Sequence, residues 1–224
     1  MNVLISGGAK NGKSYYAQNL AKAMASGKGC PLYYIATMIP RDEEDEARIR
    51  RHRAERAGWG FQTVERGRDL PGMFDAAVPA APNASEPSDP SEPNAGDPTG
   101  PSEPNAGDPT GSSEPNAGDP TGSSGPDPSG VFLLDSVTAL LSNEMFREDG
   151  TFDPDAAGRT ARECCAFAEM TGNTIFVSDY IYGDAEEYDP FTEDYRRALA
   201  AVDKRLAQVC DRVIEVSAGC IEEW

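Results

Sequence analysis

The chain has 224 residues and a formal net charge of −18, from 38 acidic against 20 basic side chains. That length suits one or two domains, and so strong an acidic excess argues against nucleic acid, whose backbone phosphates must be met by clustered Lys and Arg. No run is apolar and long enough for a transmembrane helix or a signal peptide, and Cys30, Cys164, Cys165, Cys210 and Cys220 show no zinc-type spacing, so a soluble, cytoplasmic protein with ordinary buried, reduced thiols is expected.

The chain opens on the apolar run Val3-Leu4-Ile5, followed by Gly7-Gly8-Ala9-Lys10-Asn11-Gly12-Lys13-Ser14. This is the G-x-x-x-x-G-K-[ST] pattern of a phosphate-binding loop. Its glycines allow the backbone to wrap an anion with N–H groups pointing inward. Lys13 is placed to reach β- and γ-phosphates and the Ser14 hydroxyl to ligate Mg²⁺. Tyr15 to Met24 reads as a helix whose N-terminus faces the anion. Strand, loop and helix in this order point to a bound nucleotide, GTP or ATP.

Ser26 to Gly29 ends that helix, and Leu32 to Thr37 reads as a second buried strand. A parallel pair with a right-handed crossover follows. Ligands of such sheets bind beyond the carboxyl ends of the strands, which puts Thr37 and Met38 on the same rim as the loop. Asp42 to Arg56 is a charged helix with acids leading and bases trailing, as the helix dipole favours. It carries the sole histidine, His52, among Arg50, Arg51, Arg53 and Arg56. On composition alone His52 is a surface residue of a solvated helix. Its position at the rim and its arginine neighbours suit instead a polyphosphate site with a neutral, nucleophilic imidazole. Trp59 to Glu65 alternates as a strand, and Asp69 to Val78 resembles a short helix.

From Asn83 to Gly130 the composition changes. A unit Ser-Glu-Pro-Asn-Ala-Gly-Asp-Pro-Thr-Gly begins at Ser91, Ser102 and Ser113, and the stretch holds nine acids, no Lys or Arg, and no large hydrophobe in its repeats. Such a segment cannot build a stacked core and is expected to be a disordered, functionally silent surface insertion, tolerated because loop-closure entropy grows only slowly with length. One domain is therefore expected from residues 1–82 and 131–224.

Val131-Phe132-Leu133-Leu134-Asp135 is an apolar run ending in an acid, the form of a strand whose carboxylate orients Mg²⁺. Ser136 to Phe146 and Asp155 to Met170 read as helices, and Thr174 to Asp179 as a buried strand. Thr192 to Cys210 is an amphipathic helix with Leu199, Val202, Leu206 and Val209 in its core stripe, and Arg212 to Ser217 closes the sheet. The fold class expected is α/β: a P-loop NTPase of RecA-like type, with a mostly parallel sheet flanked by helices.

Read together, Ile5 to Ser14, Tyr34-Ile35-Ala36-Thr37, Ala47 to Arg53, Trp59 through Thr63 to Glu65, Leu133 to Thr138 with Asn143, Arg205-Leu206-Ala207 and Val213 to Gly219 resemble the bifunctional adenosylcobinamide kinase / adenosylcobinamide-phosphate guanylyltransferase family of cobalamin biosynthesis. The resemblance implies phosphorylation of a cobinamide hydroxyl at the loop. It also implies transfer of GMP from GTP, through guanylylated His52, to the cobinamide phosphate. Thr37, Arg53, Glu65 and Asp135 would line the guanine-nucleotide site, with corrinoid and nucleotide substrates and a trimer with sites between subunits. The chain departs from the family's pattern at Asp179 to Asp184 and at Ala200 to Lys204, where corrinoid or subunit contacts would fall. Residues alone leave other readings open: a P-loop kinase or nucleotidyltransferase with one activity or another acceptor, or a nucleotide-binding regulator.

Overall fold

The computed structural model describes residues 1–74, 125–183 and 185–224, and of Glu55 the backbone alone. The expected repeat insertion falls outside these residues up to 124. Its last residues are described: the Asp127 carboxylate accepts from the Ser129 backbone N–H at 2.9 Å, and the Asp127 N–H donates to Tyr33 Oη at 3.0 Å, forming the turn that leads back into the sheet.

Among the described residues seven strands form one sheet. In chain order they are β1 (Val3–Gly7), β2 (Leu32–Ala36), β3 (Gln62–Glu65), β4 (Val131–Asp135), β5 (Thr174–Asp179), β6 (Arg212–Ser217) and β7 (Cys220–Glu223). Their spatial order is β3-β2-β4-β5-β1-β6-β7, parallel except for the antiparallel pair β6–β7. The helices are α1 (Lys13–Lys28), α2 (Glu43–Glu55), α3 (Val137–Met145), α4 (Ala156–Thr171) and α5 (Pro190–Val209). The strand of the glycine loop and the strand ending in Asp135 are thus separated by one inserted strand, β5, and this is a RecA-like P-loop NTPase fold.

The alternation along each strand builds two cores. Val3 and Ile5, Leu32 and Tyr34, Val131 and Leu133, and Ile175 and Val177 pack with Ala17, Ala21 and Ala25 of α1. The small side chains of α1 let that helix lie close against the sheet. On the other face Leu4, Ile35, Phe132, Leu134 and Phe176 meet α3, α4 and α5, including Leu140, Phe167, Leu199, Val202 and Leu206. Both faces being covered explains why the central strands read as continuous apolar runs rather than alternating ones.

Helix boundaries follow local chemistry. Asp42 caps α2 by accepting from the Asp45 N–H at 2.8 Å, Ser136 caps α3, and Asp189 caps α5 with Pro190 in the first turn. Helix α5 therefore begins at Pro190, two residues before the expected start at Thr192. Three further expectations change. The sheet is closed by β7, not by β6, through a hairpin with Ala218 and Gly219 at positive φ. The expected helix from Asp69 is a four-residue 3₁₀ turn at Pro71–Phe74, the rest of it lying outside the described residues. All five cysteines are free, but Cys220 is exposed and Cys30 and Cys210 only half-buried. Among the described residues no helix is long and apolar enough to cross a membrane.

Candidate functional site

The loop between β1 and α1 is held from below. Gly7 passes so close to the backbone of Val216 in β6 that a side chain there would strike its carbonyl. Asn11 donates its amide to the same Val216 oxygen, and its Oδ1 accepts from the Lys13 N–H at 3.3 Å. Lys10 and Gly12 take positive φ, 58° and 91°, and Gly12 is the N-cap of α1 with no side chain of its own to cap it. Beyond the Lys13 N–H, which Asn11 takes, the N–H groups of the first turn are therefore left for an anion. Gly8, Ala9, Lys10 and Gly12 are exposed, and Ser14 is half-buried in the first turn.

Lys13 is only 7% exposed. Its ammonium donates to the Gly8 carbonyl at 3.1 Å and pairs with Asp179 Oδ1 at 2.5 Å. Asp179 ends β5 directly opposite Gly7 in register, and its N–H is held by Thr138 Oγ1 at 2.9 Å. Asp179 was missed as a site residue. The signal was available, since Thr174–Asp179 is an apolar run ending in an acid just as Val131–Asp135 is.

Asp135 stands at the end of β4, half-buried, and Tyr34 Oη donates to its Oδ2 at 3.0 Å. The guanidinium of Arg56 lies 3.5 Å from the centre of the Tyr34 ring, a close cation–π contact. Arg56 is itself 7% exposed. A continuous path thus runs from the end of the α2 segment through Tyr34 to Asp135. Neither Tyr34 nor this role of Arg56 is visible in the sequence, where Tyr34 is one more apolar residue of a buried strand.

The remaining expected residues separate into two groups. Thr37 is fully buried; its hydroxyl donates to the Ser136 carbonyl at 2.9 Å and accepts from the Ser136 N–H at 2.8 Å. It joins the ends of β2 and β4 beneath the rim. Met38 follows it, half-buried. Asn143, 5% exposed, donates to the carbonyls of Thr37 at 2.7 Å and Gly67 at 3.0 Å, tying α3 to the ends of two strands. On α2, His52 is exposed one turn before Arg56. Three of the four arginines expected around it are already engaged: Arg53 pairs with Glu65, Arg50 with Glu46, and Arg56 is stacked on Tyr34. Arg53 and Glu65 are thus brought together by each other. Behind them Trp59 packs edge-on against Tyr15, next to Ser14, at 5.9 Å between ring centres, and Lys22 lies over its ring. That contact anchors the α2–β3 connection to the start of α1.

Among the described residues no group of three or more His, Cys, Asp or Glu is gathered to hold a metal ion. The hydroxyl of Ser14 and the carboxylate of Asp135 are hard oxygen donors, which fit a Mg²⁺ that takes most of its ligands from substrate phosphates and water.

The sequence model of the cobinamide kinase / cobinamide phosphate guanyltransferase family matches residues 3–82 and 119–223. No curated protein sequence matches the chain. Similar solved structures include a KaiC-like protein of the hyperthermophilic archaeon Pyrococcus horikoshii, at 11% identity and TM-score 0.42 over 96% of this chain and 70% of that one. The flagellar accessory protein FlaH of Methanocaldococcus jannaschii has 11% identity and TM-score 0.39 over 99% and 75%. The ATPase domain of G40P has 10% identity and TM-score 0.44 over 96% and 68%. With most of its length matched, the chain belongs to the cobinamide kinase / cobinamide phosphate guanyltransferase family.

Proposed function

We infer that the protein phosphorylates the side-chain hydroxyl of adenosylcobinamide and then transfers GMP from GTP to the resulting phosphate, as a step of cobalamin biosynthesis. The observation that carries this reading is the built phosphate cradle, with Lys13 buried at the mouth of the Gly7–Ser14 loop, in a chain of this family. Nucleotide phosphates entering the loop take the Lys13 ammonium from Asp179, since both are anions competing for one cation. The N–H groups at the start of α1 and Lys13 then hold the γ-phosphoryl group while the acceptor oxygen attacks it. The bond to the β-phosphate oxygen breaks, the nucleoside diphosphate departs, and the hydroxyl proton passes to solvent. GTP and ATP both fit a loop that contacts only phosphates.

In the second reaction an imidazole nitrogen of His52 attacks the α-phosphorus of GTP and pyrophosphate departs. An oxygen of cobinamide phosphate then displaces the histidine from phosphorus and takes the GMP. Arg53 and Arg56 stand within one turn of His52 on the same segment, with Glu65 holding Arg53. Mg²⁺, when bound, neutralises phosphate charge; Ser14 and Asp135 would hold it, with Tyr34 fixing the Asp135 carboxylate. Thr37 and Met38 shape the rim behind them. A homotrimer, as the resemblance implies, would complete the corrinoid cleft.

Intact-mass analysis after incubation with GTP tests the reading. One added GMP on the wild-type protein and none on His52→Ala is expected, alongside phosphorylation of cobinamide that Lys13→Ala abolishes. A wild-type protein that neither takes up GMP nor phosphorylates cobinamide would refute it.

A further inference from the structure

A cavity of about 320 Å³ lies between α5 and the strands β1 and β6, on the face of the sheet opposite α1. Its wall includes Ser6, Tyr180, Tyr182, Asp203, Lys204 and Trp224. Nothing in the reaction described above uses it. It adjoins the phosphate loop, because Ser6 precedes Gly7 and the Tyr180 N–H donates to the Gly7 carbonyl at 2.9 Å.

The chemistry of the wall is specific. Asp203 is 4% exposed. Its Oδ2 accepts from Ser178 Oγ at 2.8 Å and from Tyr182 Oη at 3.1 Å, whereas Oδ1 has no hydrogen-bond partner among the described residues. A buried carboxylate oxygen without a donor is costly, and with Oδ2 taken by two hydroxyls Oδ1 is the acceptor still to be answered. The rings of Tyr180 and Tyr182 meet at 4.7 Å, Tyr180 is exposed, and Trp224 is 75% exposed, so flat apolar surface flanks the opening. With Asp203 and Glu215 against Lys204, the wall suits a hydrogen-bond donor and disfavours an anionic group. The Asp203–Tyr182 bond also joins the two segments, 179–184 and 200–204, at which the sequence departs from the family's pattern.

We propose that this cavity is a second substrate-binding site, in which Asp203 Oδ1 accepts a hydrogen bond from a neutral –NH₂ group while the flat body carrying it lies against Tyr180 and Trp224. Two substrates of the inferred reactions present that chemistry: the peripheral carboxamides of a corrinoid and the exocyclic amine of guanine. The identity of the occupant, though not the site itself, rests on the function inferred above.

Asp203→Asn is the discriminating variant. Its side-chain oxygen can keep the bonds from Ser178 and Tyr182, which turns an NH₂ donor toward the cavity in place of an acceptor. Equilibrium binding is measured for cobinamide, for GTP and for ITP, which lacks the exocyclic amine, on wild type, Asp203→Asn and Trp224→Ala. Trp224 lies at the surface, so the second variant keeps the core intact if the first does not fold. If the corrinoid is the occupant, its dissociation constant rises about tenfold or more in either variant while the preference for GTP over ITP is unchanged. If guanine is the occupant, that preference collapses and corrinoid binding is unchanged. Unaltered binding of all three ligands in both variants overturns the proposal and leaves water as the only occupant. Uptake of GMP by His52 is scored separately, so a failed site and a failed functional reading give different results.

Discussion

Asp179 Oδ1 lies 2.5 Å from Lys13 Nζ, so the one buried cation of the phosphate loop is held by a carboxylate of the neighbouring strand. That pairing resolves a physical problem, because an ammonium that is only 7% exposed needs a counter-charge until a nucleotide supplies one. It also makes Asp179 a competitor of the ligand. In Asp179→Asn the affinity for GTP in the absence of divalent ions should tighten about threefold to tenfold, roughly 1 kcal/mol. Titration with a fluorescent GTP analogue in chelator checks this, and unchanged or weaker binding counts against the competition.

Asn143 bridges two backbone carbonyls, those of Thr37 and Gly67, from inside the protein. Asn143→Ala leaves both without a donor in a place water reaches poorly. A loss of about 2–3 kcal/mol is expected, read as a lowered midpoint in urea unfolding with an unchanged slope. Because those carbonyls sit beneath the rim, affinity for nucleotide should fall as well.

Asp203 gives the protein an unusual pH dependence. Burial pushes its carboxyl up to about 6; hydrogen bonds from Ser178 and Tyr182 oppose that, and the charge of Asp179 adds to it. A carboxyl whose folded value is raised holds its proton more tightly in the folded state. Its contribution is therefore greatest in acid and is lost as the pH rises from about 4 through 6, with no further change above. Relative to Asp203→Asn, which cannot ionise, the wild type should lose roughly 2–3 kcal/mol across that window. Urea unfolding at pH 4, 5, 6 and 7 measures the difference; parallel curves would show that the carboxyl titrates normally.

The chain leaves the described domain at Phe74 and re-enters at Gly125, and the two ends meet. A Cβ on Gly125 would stand 2.8 Å from the Met73 carbonyl oxygen. Replacing residues 75–124 by a short Gly-Ser link should leave a cooperatively folding domain of stability within about 1 kcal/mol of the full chain. It should also retain nucleotide binding. A truncated protein that aggregates, or that no longer binds GTP, would show that the insertion is not silent.

Much of this domain is written locally. The glycine loop, the two cores and the Asp135 strand follow from motifs and periodicity that span a dozen residues or fewer. What was not legible depends on pairs far apart in the chain. Tyr34 and Asp135 are brought together by the β2–β4 ladder, and Lys13 meets Asp179 only because β5 is inserted beside β1. No local pattern announces either. Asp203 did leave a trace: it lies four residues after Leu199 and three before Leu206, inside the apolar stripe of α5, where an acid is out of place unless something answers it. The arginines around His52 show the converse. Their clustering is visible in sequence, but their partners Glu46, Glu65 and Tyr34 decide how much of that charge is left for a ligand.

Among its described side chains helix α2 is exposed apart from half-buried Asp45 and Ile49, and the buried Arg56 follows at its end. With so little apolar surface committed, separating this helix from the sheet requires far less free energy than opening β1, β4 or β5, and its amides should be the first helical ones to exchange with deuterated solvent. His52 therefore rides on the segment that can be displaced most readily, while the anion-gripping backbone is locked between two strands. Deuterium uptake at α2, compared with and without GTP, would report directly on whether the helix that carries His52 has been engaged, independently of any chemistry at the loop.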